Sequence, residues 1–179
     1  MAVKNSGRLA LAGVLTALAL VLLLLTAVIP TTTVALAAAA GLCGIPVVVE
    51  LGRRAGLLHY VAVSLLALLL IPAVEGKTMY IAFFGYYTVL KAWLEQKNLP
   101  RPTEWIVKLV VFIAALGAGG AAVWFISRPA LPDWFALWML PVAAVGLCAL
   151  FVVYDWCLTG LVSLYNTRLR PQLQRLFRF

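Results

Sequence analysis

Phe151-Val-Val-Tyr-Asp-Trp-Cys-Leu-Thr-Gly160 places one carboxylate, Asp155, at the end of a run that is otherwise apolar or small back to Trp134. About twenty such residues are the length of one membrane crossing. An ionised Asp at that depth costs roughly 2.5–3.5 kcal/mol unless it meets a cation, a donor or water. The partner of Asp155 is therefore the first question the chain poses, and the answer depends on which other residues share its depth.

Composition supports the membrane reading. The 179 residues are 65% hydrophobic and 11% charged, and mean hydropathy is +1.05. A soluble domain carries about 25% charged residues. At about 20 residues per span plus short loops, the length accommodates about six spans in one domain over residues 1–179. The net charge of +8 does not imply nucleic acid, because the basic residues are spread over segment flanks. Cys43, Cys148 and Cys157 all lie in apolar runs, which reads as reduced packing rather than a disulfide framework. The first run is longer than the apolar core of a signal peptide, about 7–15 residues, and is read as an uncleaved span.

Working outward from Asp155, six apolar segments appear: Leu9–Ile29, Val34–Val49, Leu57–Ile71, Met79–Leu90, Trp105–Ile126 and Trp134–Leu158. The second and fourth are short for a full crossing and require burial against neighbours or a thinned bilayer. The predicted fold is an all-α bundle of six transmembrane helices. With both termini cytoplasmic, twelve of fourteen Lys and Arg fall inside, leaving only Lys77 and Arg128 outside. That asymmetry is the positive-inside pattern of a multi-pass protein in the cell membrane. The stretch 166–179, with Arg168, Arg170, Arg175 and Arg178, reads as a basic amphipathic cytoplasmic tail, either lying on anionic lipid or serving as a solvated basic stop signal.

Depth then nominates candidate sites. Asp155, Lys91, Glu50 and Arg53 come to the inner end of their segments and would form a charge cluster, with Arg54 and Lys108 as further cations. Such a cluster is either a coupling site or a structural ion pair between helices. Gly41, Gly44 and Pro46 interrupt the second segment, as in a broken helix or an ordinary kink. Tyr80, Phe84, Tyr87 and Lys91 share one helical face, which lines a pocket or packs helices. Gly13 and Ala17 on the first segment, with Gly117 and Gly120 on the fifth, form small-residue surfaces where a partner helix approaches closely. His59 has no acid, Cys or second His at metal-ligand spacing. No phosphate-binding, nucleophile-elbow or zinc-protease motif is present. Neither catalysis, a metal nor a cofactor is expected.

The opening Arg8-Leu-Ala-Leu-Ala-Gly-Val-Leu-Thr-Ala-Leu-Ala-Leu20, followed by Ile29-Pro30, and the six-span layout with proline-punctuated outer turns resemble the substrate-binding S components of energy-coupling factor vitamin transporters. In that family an Ala-x-x-x-Ala surface on the first helix meets a membrane-embedded coupling subunit that works with ATPases. The nearest match here is Gly13-x-x-x-Ala17. The resemblance implies a vitamin-like solute bound near the outer face, where this chain offers Thr31, Glu75, Lys77, Tyr80, Arg128, Asp133, Trp134 and Trp138. One departure is the first outer loop, only Pro30-Thr-Thr-Thr33 here, where S components carry a longer polar loop. Two functions follow as expectations. One is solute binding as a transporter subunit, with Tyr80, Trp134, Trp138, Glu75 and Lys77 around an outer cavity. The other is a scaffold that packs on another membrane protein or on anionic lipid.

Overall fold

Proline and glycine set where the helices stop. The computed structural model describes residues 2–97, 100–127 and 139–170. Helix α1 (Ala2–Val28) ends before Pro30, which has no N–H to return to the preceding turn. A single 3₁₀ turn, Pro30–Thr32, leads into α2 (Thr33–Leu42). Pro46 cannot donate to the Leu42 carbonyl, and the Cys43 N–H instead reaches Ala40 at 3.2 Å. The helix therefore breaks at Cys43 and resumes as α3 (Gly44–Leu51). Gly52 turns the chain at φ +87°, a left-handed conformation that glycine adopts without steric cost. Helix α4 (Arg53–Leu70) stops ahead of Pro72.

The next stretch is one continuous helical rod, about 35 Å long at 1.5 Å per residue. It consists of α5 (Val74–Met79), a π-helical turn at Tyr80–Phe84, and α6 (Gly85–Gln96). Helix α7 (Arg101–Ser127) and α8 (Met139–Leu164) complete the bundle. A second π turn, Tyr165–Leu169, continues α8 without a break. The start of the predicted tail, 166–170, is thus helical; residues 171–179 lie outside the described residues.

The rod formed by α5, the π turn and α6 is the centre of the molecule. It packs against α2, α3, α4 and α7, and its Phe83, Phe84 and Tyr87 meet Phe151 and Tyr154 of α8. Gly76, Tyr80, Phe83, Gly85, Tyr87, Thr88 and Lys91 are all buried. This is the least apolar of the long helical stretches. Polar groups are tolerated in a membrane protein where neighbours, not lipid, surround them.

Glycine lets α2 reach the rod. A Cβ on Gly41 would sit 2.5 Å from the Phe84 carbonyl oxygen, and the Thr88 hydroxyl donates to the Gly41 carbonyl at 3.1 Å. The Tyr60 hydroxyl of α4 donates to the Ile81 carbonyl inside the π turn, at 2.9 Å. Buried tyrosine hydroxyls need such partners.

Outward faces are apolar instead. Leu69 is 82% exposed, Phe125 78% and Trp156 74%, with Leu9, Val28 and Leu58 also well exposed. Among the described residues five stretches are long and apolar enough to cross a membrane: Gly7–Val28, Pro30–Leu51, Arg53–Leu70, Arg101–Ile126 and Val145–Arg168. Surface of this kind on a protein with no strand among the described residues is satisfied by lipid. The chain is an all-α, multi-pass membrane protein.

Candidate functional site

Four charged side chains and a tyrosine hydroxyl meet where α6 ends, α7 begins and α8 runs beside them. Asp155 of α8 is 4% exposed, Lys91 of α6 4% and Lys108 of α7 3%. Lys91 Nζ donates to Asp155 Oδ1 at 2.6 Å, to the Asp155 carbonyl at 3.1 Å and to Thr159 Oγ1 at 2.8 Å. The Tyr87 hydroxyl donates to the same Oδ1 at 2.7 Å. Lys108 Nζ reaches Oδ2 at 3.4 Å and Glu104 Oε1 at 2.6 Å.

Helix spacing explains most of this placement. Tyr87 and Lys91 are four apart on the rod, Glu104 and Lys108 four apart on α7, and Asp155 and Thr159 four apart on α8. Each pair therefore shares a helical face. Two ammonium groups and two carboxylates leave the cluster neutral. Burial of a charge is sustainable only when it is paired and its remaining valences are hydrogen-bonded. The cluster ties three helices together at one end of the bundle. Tyr87→Phe removes a donor without leaving one unpaired. Its expected cost is about 1.5–3 kcal/mol, the range for a hydrogen bond to a charged group, read by thermal unfolding in detergent.

Not all the predicted charge cluster assembles. The structure brings Lys91 and Asp155 together and keeps Glu50 and Arg53 apart from them. Glu50 accepts from Arg170 Nε at 3.0 Å and from the Tyr165 hydroxyl at 3.4 Å, so it fastens the far end of α8 to α3. Arg53 is exposed at the start of α4. Lys108 takes the position assigned to an arginine, because α7 brings it to Asp155, whereas α4 packs on α1, α3 and α6. Tyr87 and Thr159 join the cluster beyond the residues that depth nominates, and their four-residue spacing to Lys91 and Asp155 is the signal for them in the sequence.

Above the cluster, rings fill the space between α7, α8 and the rod. Phe112 and Phe151 stack at 4.6 Å with planes 19° apart. Phe83 meets Phe112 edge-on at 5.1 Å and Tyr87 at 4.6 Å. Such contacts are worth about 0.5–1.5 kcal/mol each beyond burial. Tyr87 joins the two layers, with its ring on Phe83 and its hydroxyl on Asp155.

Beyond this ring layer lies a cavity of about 440 Å³. Phe83, Phe84, Phe112 and Trp124 line it, with Glu75 and Thr78 among the few polar groups. Its size falls in the range of small-molecule sites. Of the residues proposed for an outer site, Glu75 lines it and is exposed. Tyr80 is 1% exposed and packs against Tyr60 of α4. Lys77 Nζ donates to the Ile71 carbonyl at 2.9 Å, a cation on the end of α4. Trp134, Trp138, Asp133 and Arg128 lie outside the described residues.

Small residues take two different places. Gly120 borders the cavity. Gly13, Gly117 and Gly120 have no atom within 4 Å of an added Cβ, and Gly13, Ala17, Gly117 and Gly120 are exposed. His59 is held by Thr16 Oγ1 at 3.0 Å between α1 and α4. The chain matches no family model, no curated protein and no solved structure.

Proposed function

We propose that the chain is a six-span protein of the cell membrane with both termini in the cytoplasm, and that it binds a small, ring-containing solute as one subunit of a transporter. The rod from Val74 to Gln96 serves as the sixth span, with its length supporting a crossing and its polar residues shielded by neighbours. The charge asymmetry supports the orientation: Arg8, Arg53, Arg54, Lys97 and Arg101 all sit at the end that holds the Asp155 cluster.

One observation carries the function. Away from the basic end the described residues leave an apolar cleft of about 440 Å³ bordered by four aromatic rings, while the Asp155 cluster fills the space between the helices at the basic end. A solute entering from outside rests on Phe83 and Phe112 and is stopped by the ring layer. Stacking and apolar contact dominate its recognition, with Glu75 and Thr78 available for one polar group. Movement inward requires other subunits. The exposed Gly13 and Ala17 face of α1 gives such a subunit a close approach. The scaffold reading draws on the same bare surfaces, Gly117 and Gly120 included, but leaves the cavity without a role.

Native mass spectrometry of protein purified in mild detergent tests this directly. Wild-type protein should carry a small-molecule adduct. Ala115→Trp, which builds a bulky ring into the cavity wall, should remove it without lowering yield. Absence of any adduct from wild type, with only lipid retained, sinks the solute reading and favours the scaffold.

A further inference from the structure

A second cavity, about 480 Å³, opens between the end of α6, α7 and α8 on the other side of the Phe112–Phe151 stack. Its floor is the Asp155 cluster, and that floor has almost no spare valence. The three N–H donors of Lys91 are all engaged, and Lys108 is shared between Glu104 and Asp155. The mouth is different. Arg101 is exposed and makes no hydrogen bond or ion pair among the described residues, yet it lines the cavity. Glu95 lines it too; its side chain is 49% exposed and held only by Lys91 at 3.8 Å.

The mouth thus offers one unspent cation, Arg101, and one half-exposed carboxylate, Glu95, held only by a long 3.8 Å contact to Lys91, over a neutral floor. A ligand with net charge satisfies one of these and repels the other. A zwitterion satisfies both. The walls say where the ligand comes from. Trp105 is 39% and Trp156 74% exposed, and both border this cavity. Exposed tryptophans beside charged groups mark the headgroup level of a bilayer. Leu109 and Val153 on the outward faces of the same two helices are 40% and 60% exposed, a surface for acyl chains. Gly160 leaves the wall bare, with nothing within 4 Å of an added Cβ.

We propose that this cavity holds the phosphate–ammonium headgroup of one phosphatidylethanolamine from the leaflet at the basic end. Its phosphate is taken by the Arg101 guanidinium, a planar fork suited to phosphate. Its primary ammonium donates to the Glu95 carboxylate. The site is separate from the aromatic cavity and does not depend on what that cavity binds.

The test uses full-length protein with an equal mixture of phosphatidylethanolamine and phosphatidylglycerol, with retained lipids counted by native mass spectrometry. One phosphatidylethanolamine should be retained in preference by about 5-fold, the value of one exposed ion pair at the upper end of its range. The double variant Glu95→Gln with Arg101→Gln, both outside the buried floor, should lose the preference while melting at the wild-type temperature. Equal retention of the two lipids by wild type overturns the proposal, and so does a preference that survives in the double variant. Release of the lipid by millimolar glycerophosphoethanolamine assigns the site to a soluble zwitterion and overturns the lipid source.

Discussion

Asp155→Ala lowers the melting temperature of the purified protein by on the order of 10 °C. The substitution leaves Lys91 buried against Thr159 and a bare carbonyl, with no carboxylate closer than Glu95 at 3.8 Å. Removing one partner of a buried pair costs about 3–5 kcal/mol, and each kcal/mol moves the midpoint by about 2–4 °C at this chain length. Replacing both partners gives a different result. Lys91→Met with Asp155→Leu removes the charges together, and Lys108 keeps Glu104 at 2.6 Å. Made in a Tyr87→Phe background, so that no buried hydroxyl loses its acceptor, that double variant should recover most of the lost stability, because apolar replacement of a whole buried pair is often close to neutral. Solute uptake in cells then separates the two roles of the cluster. Uptake retained by the stable double variant makes the pair purely structural. Uptake lost at full stability makes it part of the transport cycle. A melting temperature unchanged by Asp155→Ala would mean the carboxylate does not hold the helices at all.

Gly41→Ala and Gly13→Ala shift stability in opposite directions. At Gly41 the new methyl lands 2.5 Å from the Phe84 carbonyl oxygen and 3.0 Å from its carbon. Both are backbone atoms, so α2 and the π turn have to part. Overpacking of this kind costs about 1–3 kcal/mol, and parting also strains the Thr88 bond to the Gly41 carbonyl. At Gly13 the methyl meets nothing within 4 Å. There the gain in helix propensity, up to about 1 kcal/mol for Gly to Ala, is realised. Thermal unfolding of the two variants side by side decides it. Equal shifts would show that the backbone of α2 does not touch the π turn. Because Phe84 also lines the aromatic cavity, Gly41→Ala should weaken retention of any adduct as well.

These two sites show how far the chain can be read unaided. Pro30 and Pro72 mark helix ends in the sequence and do so in the structure, and Pro46 marks an interruption that the structure places at Cys43, because a missing N–H acts locally. The need of Asp155 for a cation was equally legible, since burying a charge is costly whatever the fold. Its actual partners were only half legible. Lys91 was nominated by depth, and Lys108 stood among several cations at that depth. Glu50 and Arg53 shared the depth as well but sit elsewhere, Glu50 against Arg170. The Tyr80 face was visible as a stripe. Its division into a buried Tyr80, a cavity-lining Phe84 and a Tyr87 bound to Asp155 was not.

Apolar run length and proline position are properties of the chain in one dimension. They determined by themselves that this is a helical membrane protein, and roughly how deep each polar group lies. Only the tertiary structure decided which helices stand beside one another: the rod from Val74 to Gln96 in the middle, α7 and α8 meeting at Phe112 and Phe151, and a cavity on either side of that contact. Depth along a helix follows from counting residues. Direction around it follows from packing between surfaces far apart in sequence, as where Gly41 admits Phe84, and no local pattern encodes that.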